Sequence, residues 1–242
     1  MALRERAVFG QRGKREYVLS IFERIAPYYD KMNLLISWGL LRTWQSAVLA
    51  EAKLPAAARV LDVGTGTGEL ALMLAEETGS KGEVIGLDLS EAMLRIAAGK
   101  VKKQGISFIQ GDALQLPFGE ESFDCVTTGF ALRNVTDILR AVSEMRRVCK
   151  KGGRVVCLEV SEPENRLWRA GFRLYYYGLI PLLGQPYAWL AQSLQGFPQG
   201  GEMKRIFRES GLSDVRCRKL HGGIVTIYSG IKTGPDKGDA WH

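Results

Sequence analysis

Histidine is nearly missing from this chain, with two residues in 242. The four cysteines, Cys125, Cys149, Cys157 and Cys217, form no Cys-x-x-Cys pair. A zinc site is therefore not expected, and isolated thiols suit a reducing, cytoplasmic setting. No uninterrupted apolar run of about eighteen residues occurs, so no membrane-spanning helix is expected. The first residues carry Arg4, Arg6, Arg12, Lys14 and Arg15 without an apolar stretch, so no secretory leader is expected.

What is present is ordinary for a folded domain: 46% hydrophobic and 24% charged residues. The length supports one full core with elaborations. The formal net charge of +7 permits an anionic partner, a membrane surface or nucleic acid, although mild basicity is commonly a solvated surface.

The rest is organised around Arg59-Val-Leu-Asp-Val-Gly-Thr-Gly-Thr-Gly-Glu69. It reads as a buried strand over 60–63, a glycine turn at Gly64, Gly66 and Gly68, and a helix from about Leu70. Such a turn lets a ligand approach the backbone, and the helix offers it free N–H groups. Asp88 ends a second strand over 84–88, about twenty residues past the turn, the spacing at which an acid reaches the ribose of a bound nucleotide. Further strands are expected over 106–110, 123–128 and 154–160, with helices between them over 91–103, capped by Ser90, and from Thr136 to the Lys151-Gly-Gly153 break. This alternation predicts an α/β fold, a Rossmann-like parallel sheet covered on both faces. Two last strands, 215–220 and 224–231, predict an antiparallel hairpin at its edge.

Two segments do not belong to the alternation. Helices over 15–25 and 40–53 form a helical extension in 1–55, either a lid over the site or an extra packing layer. Residues 163–200 form a helical insertion rich in Leu, Tyr and Trp, which lines an apolar pocket, meets a bilayer surface, or is core. The main domain spans 56–232. Residues 1–14 and the polar tail 233–242 are expected to be disordered.

Ligands in such sheets bind at the carboxyl ends of the strands. The cofactor-binding candidates there are Asp62, Gly64, Thr65, Gly66, Thr67, Gly68, Asp88, Leu89, Asp112, Ala113 and Gly129, with Tyr29 from the helical extension. Asp112 either bonds an adenine or closes an Asx-turn. Glu69 beside the turn disfavours a pyrophosphate and suits a sulfonium, so S-adenosylmethionine is expected rather than NAD. The Gly-x-Gly-x-Gly spacing agrees. Arg133 and Asn134 follow the fourth strand, where a substrate would lie beyond the methyl group. Arg133 either favours a phenolate by its charge or pairs with an acid at the surface. His221 is more readily read as structural. No metal is needed for such a transfer.

With Phe22-Glu-Arg-Ile-Ala-Pro-Tyr-Tyr-Asp30, Met32-Asn33, Ser37-Trp-Gly39, Leu61-Asp-Val-Gly-Thr-Gly-Thr-Gly68, Leu116-Pro-Phe118, Phe130-Ala-Leu-Arg-Asn-Val-Thr-Asp137 and Gly222-Gly-Ile-Val225 in view, the chain resembles the ubiquinone/menaquinone biosynthesis C-methyltransferases. These are class I S-adenosylmethionine-dependent methyltransferases. The resemblance runs from about Phe22 to Lys232 and implies a seven-stranded sheet and methyl transfer to a ring carbon of a prenylated quinol. It places Thr67, Asp88, Asp112 and Ala113 at cofactor-binding positions and Arg133 and Asn134 at positions that assist quinol deprotonation. Gly129 stands where some members have Ser, and His221 where Thr is usual. Demethylmenaquinol is the expected substrate; a benzoquinol of the ubiquinone pathway or another small molecule is the alternative. The expected partners are a lipid-tailed quinol and, transiently, the inner face of a membrane, with no nucleic acid. The oligomeric state is left open, a homodimer included.

Overall fold

The computed structural model describes residues 11–102 and 104–234. The outermost parts of the two expected disordered ends lie outside the described residues. Helices α1 (Gln11–Ile25), α2 (Tyr29–Ile36) and α3 (Leu41–Ala52) come first. Pro27 breaks α1 into a short 3-10 turn, Ala26–Tyr28, because it has no N–H to continue the helix. The start of α1 at Gln11 corrects the expectation that order begins at residue 15.

The alternating part is β1 (Arg59–Val63), α4 (Glu69–Thr78), β2 (Glu83–Asp88), α5 (Glu91–Gly99), β3 (Ile106–Gln110), β4 (Phe123–Gly129), α6 (Ile138–Val148) and β5 (Cys149–Val160). The insertion holds α7 (Arg166–Arg173), a π turn (Leu174–Leu179), a 3-10 turn (Ile180–Leu183) and α8 (Gln185–Gln195). Then α9 (Gly201–Glu209), β6 (Ser213–Leu220) and β7 (Val225–Ile231) close the chain.

The seven strands form one sheet in the order β3-β2-β1-β4-β5-β7-β6. Strands β1 to β5 are parallel; β7 lies antiparallel between β5 and β6. The order reverses between β1 and β4, so their carboxyl ends diverge and leave a crevice there. Successive residues of β1 serve opposite faces. Leu61 and Val63 join the core under α6, α8 and α9, whereas Val60 joins the core under α3 and α4. Burial on both faces explains why these strands read as apolar runs rather than alternating ones.

Three local expectations are corrected. Asp137, not Thr136, caps α6: its carboxylate accepts from Arg140 N, and an Asp side chain reaches that orphan donor readily. Helix α5 stops at Gly99, short of 103. Lys151-Gly-Gly153 does not separate α6 from β5. It lies inside β5 as a bulge, with Gly152 at φ +79°.

Helix α3 packs on the sheet through Trp44, Val48 and Ala52. The insertion is divided: Phe172, Tyr176, Ile180, Trp189 and Leu194 are core, whereas Leu167, Trp168, Leu174 and Leu182 are exposed.

A two-cleft candidate active site

The crevice at the ends of β1 and β4 is a cleft of about 940 Å³ counted out to open solvent. Its floor includes Gly64, Gly66, Asp88, Leu89, Asp112, Ala113 and Gly129, which the sequence places together. Gly64 sits at φ +69°, and a Cβ there would lie 2.3 Å from the Ala131 Cβ, so only glycine fits. Asp88 holds the loop: one carboxylate oxygen accepts from Gly66 N at 2.8 Å and the other from Ser90 N at 2.9 Å. Burial raises the Asp88 pKa, and these backbone donors oppose that shift. Asp112 closes the Asx-turn, its Oδ1 accepting from Leu114 N, and also stands in the cleft.

Asp62, Thr65, Thr67 and Gly68 are absent from the cleft wall. Asp62 accepts from Thr65 Oγ1 and Thr127 Oγ1, both at 2.7 Å, and burial lifts its pKa to about 6. Thr67 Oγ1 donates to Asp30, tying the loop to α2. Gly68 packs towards Phe108 and Ala97. Glu69 does not face the cleft either. Lys100 pairs with it at 2.6 Å, so the expectation that its charge selects the cofactor is corrected.

Helix α1 crosses the mouth. Val18, Leu19 and Phe22 line the cleft, and Arg15 pairs with Asp112 at 3.1 Å. Glu23 accepts from Ser90 Oγ at 2.8 Å beside the first turn of α5, where a helix terminus favours negative charge.

A second cleft, about 1410 Å³ counted out to open solvent, lies between α2, α3 and α7. It is lined mainly by apolar and aromatic side chains, with Arg133 and Asn33 among the few polar ones. Tyr29 and Phe130 line both clefts and so form the divider between them. Phe130 holds that place at φ +58°, an unusual conformation for a bulky residue and of the kind that marks constrained sites.

Arg133 is neither a surface arginine nor unpaired. Its Nη1 donates to Glu159 Oε2, and both side chains are buried. Burial works against the guanidinium charge, but Glu159, Tyr176 and Tyr29 more than offset it, so Arg133 stays protonated. Burial also raises the Glu159 carboxyl, with Arg133 opposing. The Arg133 Nε is buried with no hydrogen-bond partner. Asn134 is not brought to Arg133's cleft. It lines the first one, where its Oδ1 accepts from Trp189 Nε1 at 3.0 Å. Tyr176, also in the second cleft, is raised to about 12 by burial, and burial raises Tyr29 too. Neither phenol is a base near neutrality. His221 lines neither cleft; its Nδ1 accepts from Trp44 Nε1 at 2.9 Å.

Sequence reasoning missed Glu159 and Phe130. A lone acid inside the apolar run Val155-Val-Cys-Leu-Glu-Val160 was a usable signal for the first. Phe130 opens the Phe130–Asp137 segment that carries the resemblance, but no role was read for it.

A seven-stranded sheet of this order, with a glycine turn after β1 and an acid after β2, defines a class I methyltransferase. Solved structures agree on the fold. A SAM-dependent methyltransferase of Thermotoga maritima superposes with a TM-score of 0.66 at 24% identity, covering 89% of this chain and 100% of that one. The profile of the ubiE/COQ5 methyltransferase family matches residues 11–232, and the chain belongs to that family. Among its relatives, the demethylmenaquinone methyltransferase of Roseiflexus castenholzii is 44% identical over 228 residues, 91% of this chain and 95% of that protein. The enzyme of the same description from Bacillus velezensis is 40% identical over 232 residues, 92% of this chain and all of that protein.

Proposed function

We infer that this chain is an S-adenosylmethionine-dependent C-methyltransferase that converts demethylmenaquinol to menaquinol. The observation that carries the reading is the pair of clefts, one holding the glycine turn with Asp88 and Asp112 and one lined by aromatics, meeting at Tyr29 and Phe130 with Arg133 in the second.

The first cleft fits the cofactor. Gly64 and Gly66 bring bare backbone to it, Asp88 offers a carboxylate to ribose hydroxyls, and the buried Thr128 Oγ1 has no partner of its own. When bound there, S-adenosylmethionine supplies an electrophilic methyl group on a sulfonium. Asp112 and Ala113 lie where an adenine would rest, and α1 acts as a lid that excludes water.

The second cleft takes the quinol ring, its isoprenoid tail running among Leu40, Trp168 and Phe172. Arg133 stands in the wall of this cleft, and its cation lowers the pKa of a ring hydroxyl placed beside it. The hydroxyl proton leaves to water, since neither tyrosine can take it. The phenolate pushes electron density to the adjacent ring carbon, which would then take the methyl that bound S-adenosylmethionine supplies. The proton on that ring carbon then leaves to solvent and aromaticity returns. The protein's part is alignment across the divider, exclusion of bulk water and stabilisation of the phenolate. Glu159 keeps Arg133 in place.

The enzyme works in the cytoplasm, meeting the inner face of the membrane to collect its substrate. Among the described residues no helix is long and apolar enough to span a bilayer. The test offers labelled S-adenosylmethionine with demethylmenaquinol or a benzoquinol under reducing conditions, the product identified by mass. Methylation of the naphthoquinol alone supports the reading. Methylation of the benzoquinol alone, or of neither, overturns it.

A further inference from the structure

The geometry points to a membrane-docking face: the exposed apolar rim of the second cleft, formed by α2 with its following turn and by α7 with its π turn, seats on an anionic bilayer. This rests on the reading that the substrate is a lipid-tailed quinol.

Adjacent Leu34 and Leu35 lie four and three residues before Trp38, on α2 and its turn, and the three are 61%, 63% and 77% exposed. Leu167 and Leu174, two helical turns apart along α7 and the π turn, are 82% and 68% exposed. The two groups are neighbours. The Trp38 and Tyr175 rings lie 5.9 Å apart, and Tyr175 Oη donates to the Ile36 carbonyl at 3.0 Å. Large apolar side chains exposed singly need no explanation, but a contiguous set of this kind marks an interaction surface.

Two observations choose the occupant. The first is continuity with the cleft. Trp38 and Leu167 belong both to the exposed rim and to the cleft lining, so the apolar interior opens through this face. A protein seated there would close the entrance that a lipid tail must use, whereas a bilayer is the source of that tail. The second is charge. Exposed Lys31 lies one helical turn before Leu34 and Leu35, and exposed Arg166 adjoins Leu167, whereas Arg173 beside Leu174 is paired with Glu162. The nearby acids are engaged: Glu162 with Arg173 and Tyr177, Glu164 with Lys219, and Asp30 with Lys100 and Thr67. An apolar face edged with basic residues suits an anionic lipid surface.

The test uses the full chain with vesicles of phosphatidylcholine, with and without about one-third phosphatidylglycerol. The triple variant Leu34→Ser, Leu35→Ser, Leu174→Ser is compared with wild type, because none of the three lines either cleft. The expected result is sedimentation of wild type with the anionic vesicles, weakened by salt, and at least tenfold weaker partition of the variant. Methylation of a tail-truncated quinol in solution is expected to be equal for both, which also shows that the variant is folded. Equal vesicle partition of variant and wild type overturns the proposal, as does a wild type that ignores vesicles. So does a wild-type dimer that the variant dissociates, since a second copy then covers this face. Failure to methylate the soluble quinol, with vesicle binding intact and variant-sensitive, sinks the substrate reading and leaves the docking face standing.

Discussion

The Arg133 guanidinium donates to the Glu159 carboxylate at 2.5 Å inside the protein, 26 residues apart in sequence, and this pair anchors the end of the β4 loop to β5. Replacing one partner leaves the other buried and uncompensated. Glu159→Gln is expected to lower stability by about 3–5 kcal/mol in urea unfolding. It is also expected to slow methyl transfer, because Arg133 loses its fixed position. Cofactor affinity by calorimetry stays at the wild-type value, since neither residue lines the first cleft.

Asp88 joins three strands of argument: loop, helix cap and ligand. Asp88→Asn has one acceptor oxygen where Gly66 N and Ser90 N each need one. Cofactor affinity is expected to fall ten- to a hundredfold, about 1.4–2.8 kcal/mol, in a titration of the binding heat.

Asp62 makes stability depend on pH. Its folded pKa of about 6 lies above the ordinary 3.8, so the folded chain holds the proton more tightly than the unfolded one. The stabilisation is fully present below the ordinary value and is lost as pH rises through about 6. Asp62→Asn lacks this slope. Relative to wild type, its stability is expected to improve by up to about 3 kcal/mol between pH 4 and pH 7, whatever constant offset the lost hydrogen bonds add. Urea midpoints at the two pH values, compared between the proteins, check this.

Two glycines separate crowding from backbone strain. Gly39 and Gly64 share a left-handed φ, +75° and +69°, but a Cβ at Gly39 meets nothing within 4 Å. Gly39→Ala is expected to cost about 1 kcal/mol and Gly64→Ala at least 1 kcal/mol more. Similar thermal unfolding shifts for the two would contradict the close packing of Gly64 on Ala131.

Features with local causes were legible in the sequence. The β3 strand over 106–110 and the Ser90 cap follow from short-range pattern and side-chain chemistry, and both are present. So is the convergence of Gly64, Asp88, Asp112 and Gly129, because a parallel sheet puts all its strand ends at one edge. What escaped was set by partners far along the chain. Lys100 removes Glu69 from the argument about the cofactor, and Glu159 turns Arg133 from a surface cation into a buried one. The division of Arg133 and Asn134 between two clefts depends on a 3-10 turn at Leu132–Asn134, which no pattern in the segment announces. The insertion's aromatics were open between core and surface, and they serve both, since one side of α7 and its π turn meets the sheet domain and the other does not.

In the proposed reaction Arg133 holds the ring oxygen while the methyl comes from the neighbouring cleft. Arg133→Lys tests it most directly, because lysine keeps a cation for Glu159 but lacks the planar guanidinium that pairs with Glu159 and still reaches the cleft wall. The measurement is the single-turnover rate of methyl transfer to demethylmenaquinol with both ligands bound beforehand, alongside the Kd of the cofactor. The expected result is a rate at least a hundredfold lower with cofactor Kd unchanged. A wild-type rate in Arg133→Lys would contradict it.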